Sequence, residues 1–189
     1  MGLRIITPVF AVTLLVPAFV NAGDSPDEKR EKIRKMANDT LADLYKLQPS
    51  AQAVVQKSAG YAVFDNFGTH VLLVSTARGS GVAYNSKTGQ YTYMKMLSGG
   101  AGLGIGVKDY QAVFVFETEQ ALAKFIDSGW EGSGQADAAA KAGEKGGAYS
   151  GAAMIAPNTW VYEITKNGLA LQLTLQGTKY SKDDDLNKQ

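Results

Sequence analysis

Between Glu28 and Lys35 the chain places five basic side chains, Lys29, Arg30, Lys32, Arg34 and Lys35, against two acids, Glu28 and Glu31, a local charge of +3. Guanidinium and ammonium groups at this density can hold phosphate or carboxylate oxygens by charge-assisted hydrogen bonds. The cluster stands out because the whole chain is balanced, with 19 Lys+Arg against 18 Asp+Glu and a net charge of +1. No global field therefore draws nucleic acid, and none is expected as a partner. From Ile33 through Met36, Ala37, Thr40, Leu41 and Leu44 to Leu47, apolar positions recur at i, i+3/i+4, the pattern of one buried helix face. A basic helix with an apolar face is the layout of a helix resting on an anionic surface. The competing reading is an ordinary amphipathic helix that covers a sheet and leaves its basic side in water. Both hold if the helix packs and also presents its charge.

Other chemistry thins out quickly. The chain has no cysteine and a single histidine, His70, which removes disulfides, thiolate nucleophiles, zinc–thiolate sites and multi-histidine metal centres. The glycine run Gly99-Gly100-Ala101-Gly102-Leu103-Gly104-Ile105-Gly106 invites a phosphate-loop reading. No register supplies the i, i+2, i+5 glycines of a dinucleotide turn, and no Gly-Lys-Ser/Thr follows. Gly102, Gly104 and Gly106 alternate with Leu103, Ile105 and Val107 instead, which predicts a strand with one bare face open to close packing. Gly79 and Gly81 read similarly, or as a bulge. Asp65, Asp109, Glu117 and Glu163 show no grouping along the chain, and Asp183-Asp184-Asp185 lacks the alternating ligands and glycine of a calcium loop. No catalytic set, cofactor or metal is expected, so the chain reads as a non-enzyme.

The elements that must position the basic cluster follow. Residues 1–22 read as a cleaved secretory signal, with one charge at Arg4, an apolar stretch too short to cross a bilayer, and Val20-Asn21-Ala22 before the cut. Residues 23–182 then form one domain. Its 25–58 segment is helical, opened by a Ser25…Glu28 capping box, with Pro49 ending the first helix, Ser50 capping a second and Gly60 as its stop. Residues 59–182 are mainly β, with expected strands at Tyr61–Phe64, Val71–Thr76, Gly81–Tyr84, Tyr91–Leu97, Ala112–Phe116, Tyr149–Ile155, Trp160–Thr165 and Leu169–Leu175. One helix is inserted near 118–128, begun by Thr118 and ended by Gly129. Residues 129–147 look like a low-apolar excursion, and the polar tail 183–189 is expected to fray. The fold class is α+β: an N-terminal amphipathic helix plus a curved, mostly antiparallel, glycine-rich sheet.

In their order, the β-region landmarks resemble the SYLF family, a lipid-binding domain also called the yeast-type actin-regulator domain. They are Ala59-Gly60-Tyr61-Ala62-Val63-Phe64, Ala77-Arg78-Gly79-Ser80-Gly81-Val82, the Thr88-Gly89 turn, the glycine run 99–106 with Asp109, Val113 and Val115, and Lys166-Asn167-Gly168-Leu169 running to Leu175-Gln176-Gly177-Thr178. The likeness covers about residues 35–187. Gln90-Tyr91-Thr92-Tyr93-Met94 lacks the family's tryptophan and proline, so the chain resembles a divergent, secreted bacterial member. The resemblance implies non-catalytic binding of phospholipid through the basic helix and nearby surface, carried by Lys29, Arg30, Lys32, Arg34 and Lys35, with Arg78 added. Anionic glycerophospholipid in a periplasmic or secreted setting, peripheral to a membrane, is the expected partner, and actin is not expected there. The rival is a structural module docking on another envelope protein, signalled by an exposed apolar patch near Trp130 or Trp160. A weaker rival is an enzyme in which Asp65, Asp109 and Glu163 converge in one pocket.

Overall fold

The computed structural model of the chain describes residues 24–71, 74–101, 110–132, 149–170 and 177–188, and the backbone alone of 66–71, 74–77 and 99–101. The expected signal, Gly102–Gly106 and Asp109 lie outside the described residues. Helix α1, Pro26–Leu47, opens with the expected capping box: Ser25 Oγ accepts the Glu28 N–H, and the Glu28 carboxylate accepts the Ser25 N–H at 2.7 Å. Its buried stripe is Ile33, Ala37, Thr40, Leu41 and Leu44. Gln48 ends α1 and starts α2, Pro49–Lys57. Pro49 is the first residue of α2, where its missing N–H costs nothing, so Ser50 lies inside that helix instead of capping it. Ser58 closes α2 and donates to the Val55 carbonyl at 2.7 Å. Gly60, expected as the helix stop, is instead the first residue of the sheet.

Nine strands form one sheet among the described residues: β1 Gly60–Val71, β2 Val74–Asn85, β3 Tyr91–Ala101, β4 Tyr110–Phe116, β5 Trp130–Glu131, β6 Ala153–Ala156, β7 Thr159–Thr165, β8 Gly168–Leu169 and β9 Thr178–Lys182. Their order is β5-β9-β3-β2-β1-β4-β7-β6, with β8 on β7, and every pairing is antiparallel. Runs expected as separate short strands merge into the long β1–β2 hairpin, which holds one register from Gly60↔Asn85 to Val71↔Val74 without a bulge. Gly79 and Gly81 are the reason. A Cβ on Gly81 would collide with the Phe64 ring and one on Gly79 with the Asp65 carbonyl, so the two glycines let the ribbon continue under close packing. The Ser86–Gly89 turn forms as expected, with Asn85 Oδ1 accepting from the Lys87 and Thr88 N–H groups and Gly89 at φ 70°. In the Lys166-Asn167-Gly168 turn the positive φ falls on Gly168, at 100°, and not on Asn167.

Alternation along the strands builds two cores. On the outer face α1 and α2 cover Val63, Val82, Tyr93, Val113, Val115, Trp160, Tyr162 and Ile164. On the inner face helix α3, Glu119–Ser128, capped by Thr118 and ended by Gly129, lays Leu122 and Phe125 against Phe64, Phe114, Phe116 and Tyr180. Two expectations change at the C-terminal side. The 129–147 excursion begins as a strand, with Trp130 and Glu131 paired to Tyr180 and Lys179. The tail does not fray: helix α4, Asp184–Asn187, buries Leu186 in the outer core, and the Asn187 amide extends the edge of β3, accepting the Tyr93 N–H at 3.0 Å and donating to the Tyr93 carbonyl at 2.7 Å. Polarity misled the sequence reading here, because this asparagine pairs as a strand residue would.

Candidate functional site

The apolar face of α1 is spent inside the outer core, so the helix offers only charge. At about 100° per residue its five basic residues spread around the axis instead of sharing one face. Lys35 lies opposite the buried stripe and pairs with Asp39, and Lys32 pairs with Asp24 at 2.7 Å. Lys29 and Arg34 are exposed on opposite flanks and make no ion pair among the described residues. Arg30 is a structural clamp: its Nε donates to the Leu186 carbonyl at 2.9 Å, one terminal nitrogen to the Lys188 carbonyl at 2.8 Å and the other to Asp27 at 2.6 Å. It ties α1 to α4, with only 23% of its side chain exposed.

The sheet supplies what the helix lacks. Phe64, Met94 and Met96 point inward, so Arg78, Ser80, Lys95 and Leu97 point outward from β2 and β3 beside α1. The register runs Arg78↔Leu97↔Lys179↔Glu131 and Ser80↔Lys95↔Ser181, which brings three basic side chains from β2, β3 and β9 around one leucine. Arg78, Lys95 and Lys179 are all exposed, and Leu97 is 54% exposed, the most open of the large hydrophobic residues described. Sequence reasoning found Arg78 only. Lys95 joins it across the consecutive β2–β3 pairing, and Lys179 because β9 returns to pair with β3, a non-consecutive neighbour. The available signal was the alternation Met94-Lys95-Met96-Leu97 and Thr178-Lys179-Tyr180.

Helix and sheet meet at α4. The Asp185 carboxyl is held below its usual range first by its hydrogen bond and charge contact with Lys188, then by Lys95 of β3 and Lys29 of α1. Lys29 of α1 and Lys95 of β3 thus both lie within electrostatic reach of α4, and on the sheet the exposed row continues from Lys95 and Leu97 to Arg78 and Lys179. Farther along the same side a cleft of about 570 Å³ opens between the C-terminal end of α1 and the sheet. Asp43, Asp65, Lys46 and Lys166 line it with both signs, so it adds no net field.

The rival constellations do not assemble among the described residues. Asp65 pairs with Gln111 on the outer face, while Glu163 pairs with Ala112 on the inner face and is 1% exposed, so the two do not converge. Trp160 is 2% exposed and Trp130 packs against Phe114 and Tyr180, so neither carries an open apolar patch. No group of three or more His, Asp or Glu side chains is placed to hold a metal ion among the described residues. No helix there is long and apolar enough to cross a membrane.

Residues 97–189 match the family model Ysc84, described as a Las17-binding protein actin regulator. Over 161 residues, 84% of the chain, the sequence is 39% identical to beta cell expansion factor A of Aeromonas veronii. The chain spans 59% of that relative's length. The matched segment contains Leu97, β4, α3, β6 to β9 and the α4 latch, and with them Lys179 of the cationic row. Residues 97–189 are thus the part of this chain that matches the Ysc84, or SYLF, family that its sequence resembles.

Proposed function

We propose that the protein is a non-catalytic domain that binds anionic phospholipid surfaces through this cationic outer face, in the periplasm or outside the cell. The observation that carries the reading is the exposed Leu97 with Arg78 and Lys179 as its register neighbours and Lys95 beside it. An anionic leaflet contributes about 1 kcal/mol per nearby Lys or Arg, and a single open leucine adds shallow apolar contact at the headgroup boundary. Lys29, Lys32, Arg34 and Lys35 add charge from the helix, whereas Arg30 serves the fold. Family membership supports the reading, since the family is known for lipid- and actin-related binding.

Co-sedimentation with vesicles of phosphatidylcholine, with and without phosphatidylglycerol, tests it. The protein is expected to pellet only with the anionic lipid and to be released by salt. Lys95→Glu with Lys179→Glu should abolish pelleting, and Lys32→Glu with Arg34→Glu should weaken it. Undiminished pelleting of the sheet variant would remove the sheet from the site.

A further inference from the structure

The acidic end of the chain lies against the basic face it would have to leave open. Arg30 holds the Leu186 and Lys188 carbonyls, and Asn187 pairs with Tyr93 of β3, so α4 is fixed beside the N-terminal ends of α1 and β3. Those are the two elements that carry Lys29 and Lys95. Asp183 caps α4, accepting from the Asp185 and Leu186 N–H groups at 3.1 and 3.2 Å. Asp184 and Asp185 have no such duty. Both are exposed, and Asp185 pairs only with its helix neighbour Lys188. We infer that Asp185, with Asp184 beside it in the first turn of α4, is a built-in counter-anion that screens Lys29 and Lys95, so that the docked C-terminal segment sets how anionic a surface must be before the protein binds it.

The inference rests on the lipid reading and supplies its regulation. It divides the five basic residues of α1 by role: Arg30 fastens the screen, and Lys29 is what the screen covers. A fixed screen shortens the range of surfaces that bind, because a weakly charged leaflet cannot outcompete carboxylates already in place. It also predicts a shallower dependence on lipid charge than the count of exposed lysines suggests, because the fixed carboxylates lower the effective charge of the face.

The test uses the full chain and the same vesicles across a salt series. Asp184→Asn with Asp185→Asn should tighten binding by up to about five-fold per neutralised carboxylate at low salt, with the difference closing as salt rises. Glu119→Gln with Asp127→Asn makes the same change in net charge on α3, across the sheet, and should leave affinity unchanged within about two-fold. Equal binding by the wild type and the Asp184/Asp185 variant, or equal gains in both double variants, would overturn the screen. Arg30→Gln, which loosens the latch, should bind at least as well as the wild type; weaker binding by a folded Arg30→Gln protein would make Arg30 a lipid contact and also overturn the assignment. Should neither the wild type nor any variant pellet with anionic vesicles at any salt, the lipid reading itself fails, an outcome distinct from equal binding.

Discussion

The two faces of the sheet use the same strands for opposite purposes. Inward from β1, β3, β4 and β9, Phe64, Met94, Phe114 and Tyr180 interlock with Phe125, with ring centroids of Phe64, Phe114 and Tyr180 4.6 to 5.7 Å apart in edge-on arrangements. Outward, the sheet is half roofed by α1 and α2 and half bare, and the bare half carries Arg78, Lys95, Leu97 and Lys179. On β3 the division falls between adjacent residues: Met94 and Met96 are buried, Lys95 and Leu97 are open. Core packing and surface charge are thus separable one residue at a time, which a helix with its mixed flanks does not permit.

The sharpest way to break this comparison is to empty the inner face. Phe114→Ala should cost about 3–5 kcal/mol by chemical denaturation, because the ring is fully buried among four aromatic neighbours, Phe64, Phe125, Trp130 and Tyr180. Alkali should act on both faces, because burial holds the inner-core Tyr180 hydroxyl well above its ordinary value as well. Burial pushes the Tyr162 hydroxyl up to about 12, and burial followed by the hydrogen bond to Glu117 pushes Tyr149 up to about 12. In the unfolded chain both ionise near their ordinary value of 10.0. The folded state therefore keeps protons that the unfolded state gives up. Their stabilising contribution is complete below pH 10 and is lost as pH climbs toward about 12. A denaturation midpoint that holds steady over that interval would contradict the assignment. Replacing Asn187 with Ala should cost about 1–2 kcal/mol, since it leaves the Tyr93 N–H without its acceptor, while the Tyr93 carbonyl keeps the Asp183 N–H. The smallest effect belongs to the open row: Lys95→Glu with Lys179→Glu should change stability by no more than about 0.5 kcal/mol per site, while removing vesicle binding. A large loss of stability in that variant would mean the row is structural.

Local chemistry was legible in the chain and long-range pairing was not. The Ser25–Glu28 capping box and the Thr118 and Gly129 ends of α3 depend on residues within a few positions of each other and form as read; the α1 stripe does so from Ile33 to Leu44, whereas Leu47, read into it, is exposed. The long β1–β2 hairpin was hidden because Arg78-Gly79-Ser80 looks like a break until Phe64 is seen to need the space above Gly81. The basic cluster of α1 was visible, but not its division, because the partners of Arg30 lie at the far end of the chain. Lys95 reaches Arg78 through the β2–β3 pairing that the turn at 86–89 signalled, whereas Lys179 joins them only through the non-consecutive β3–β9 pairing.

The chain's two tryptophans fall on either side of the sheet. Trp160 sits in the outer core, stacked on Tyr149 at 4.2 Å with its indole N–H donating to Glu117, whereas Trp130 lies edge-on to Phe114 across the inner one. Each layer therefore carries its own fluorophore, and the two differ in polarity and stacking. Single Trp→Phe proteins would let emission report separately on helical roof and aromatic floor, showing whether the layers melt together or the roof lifts first.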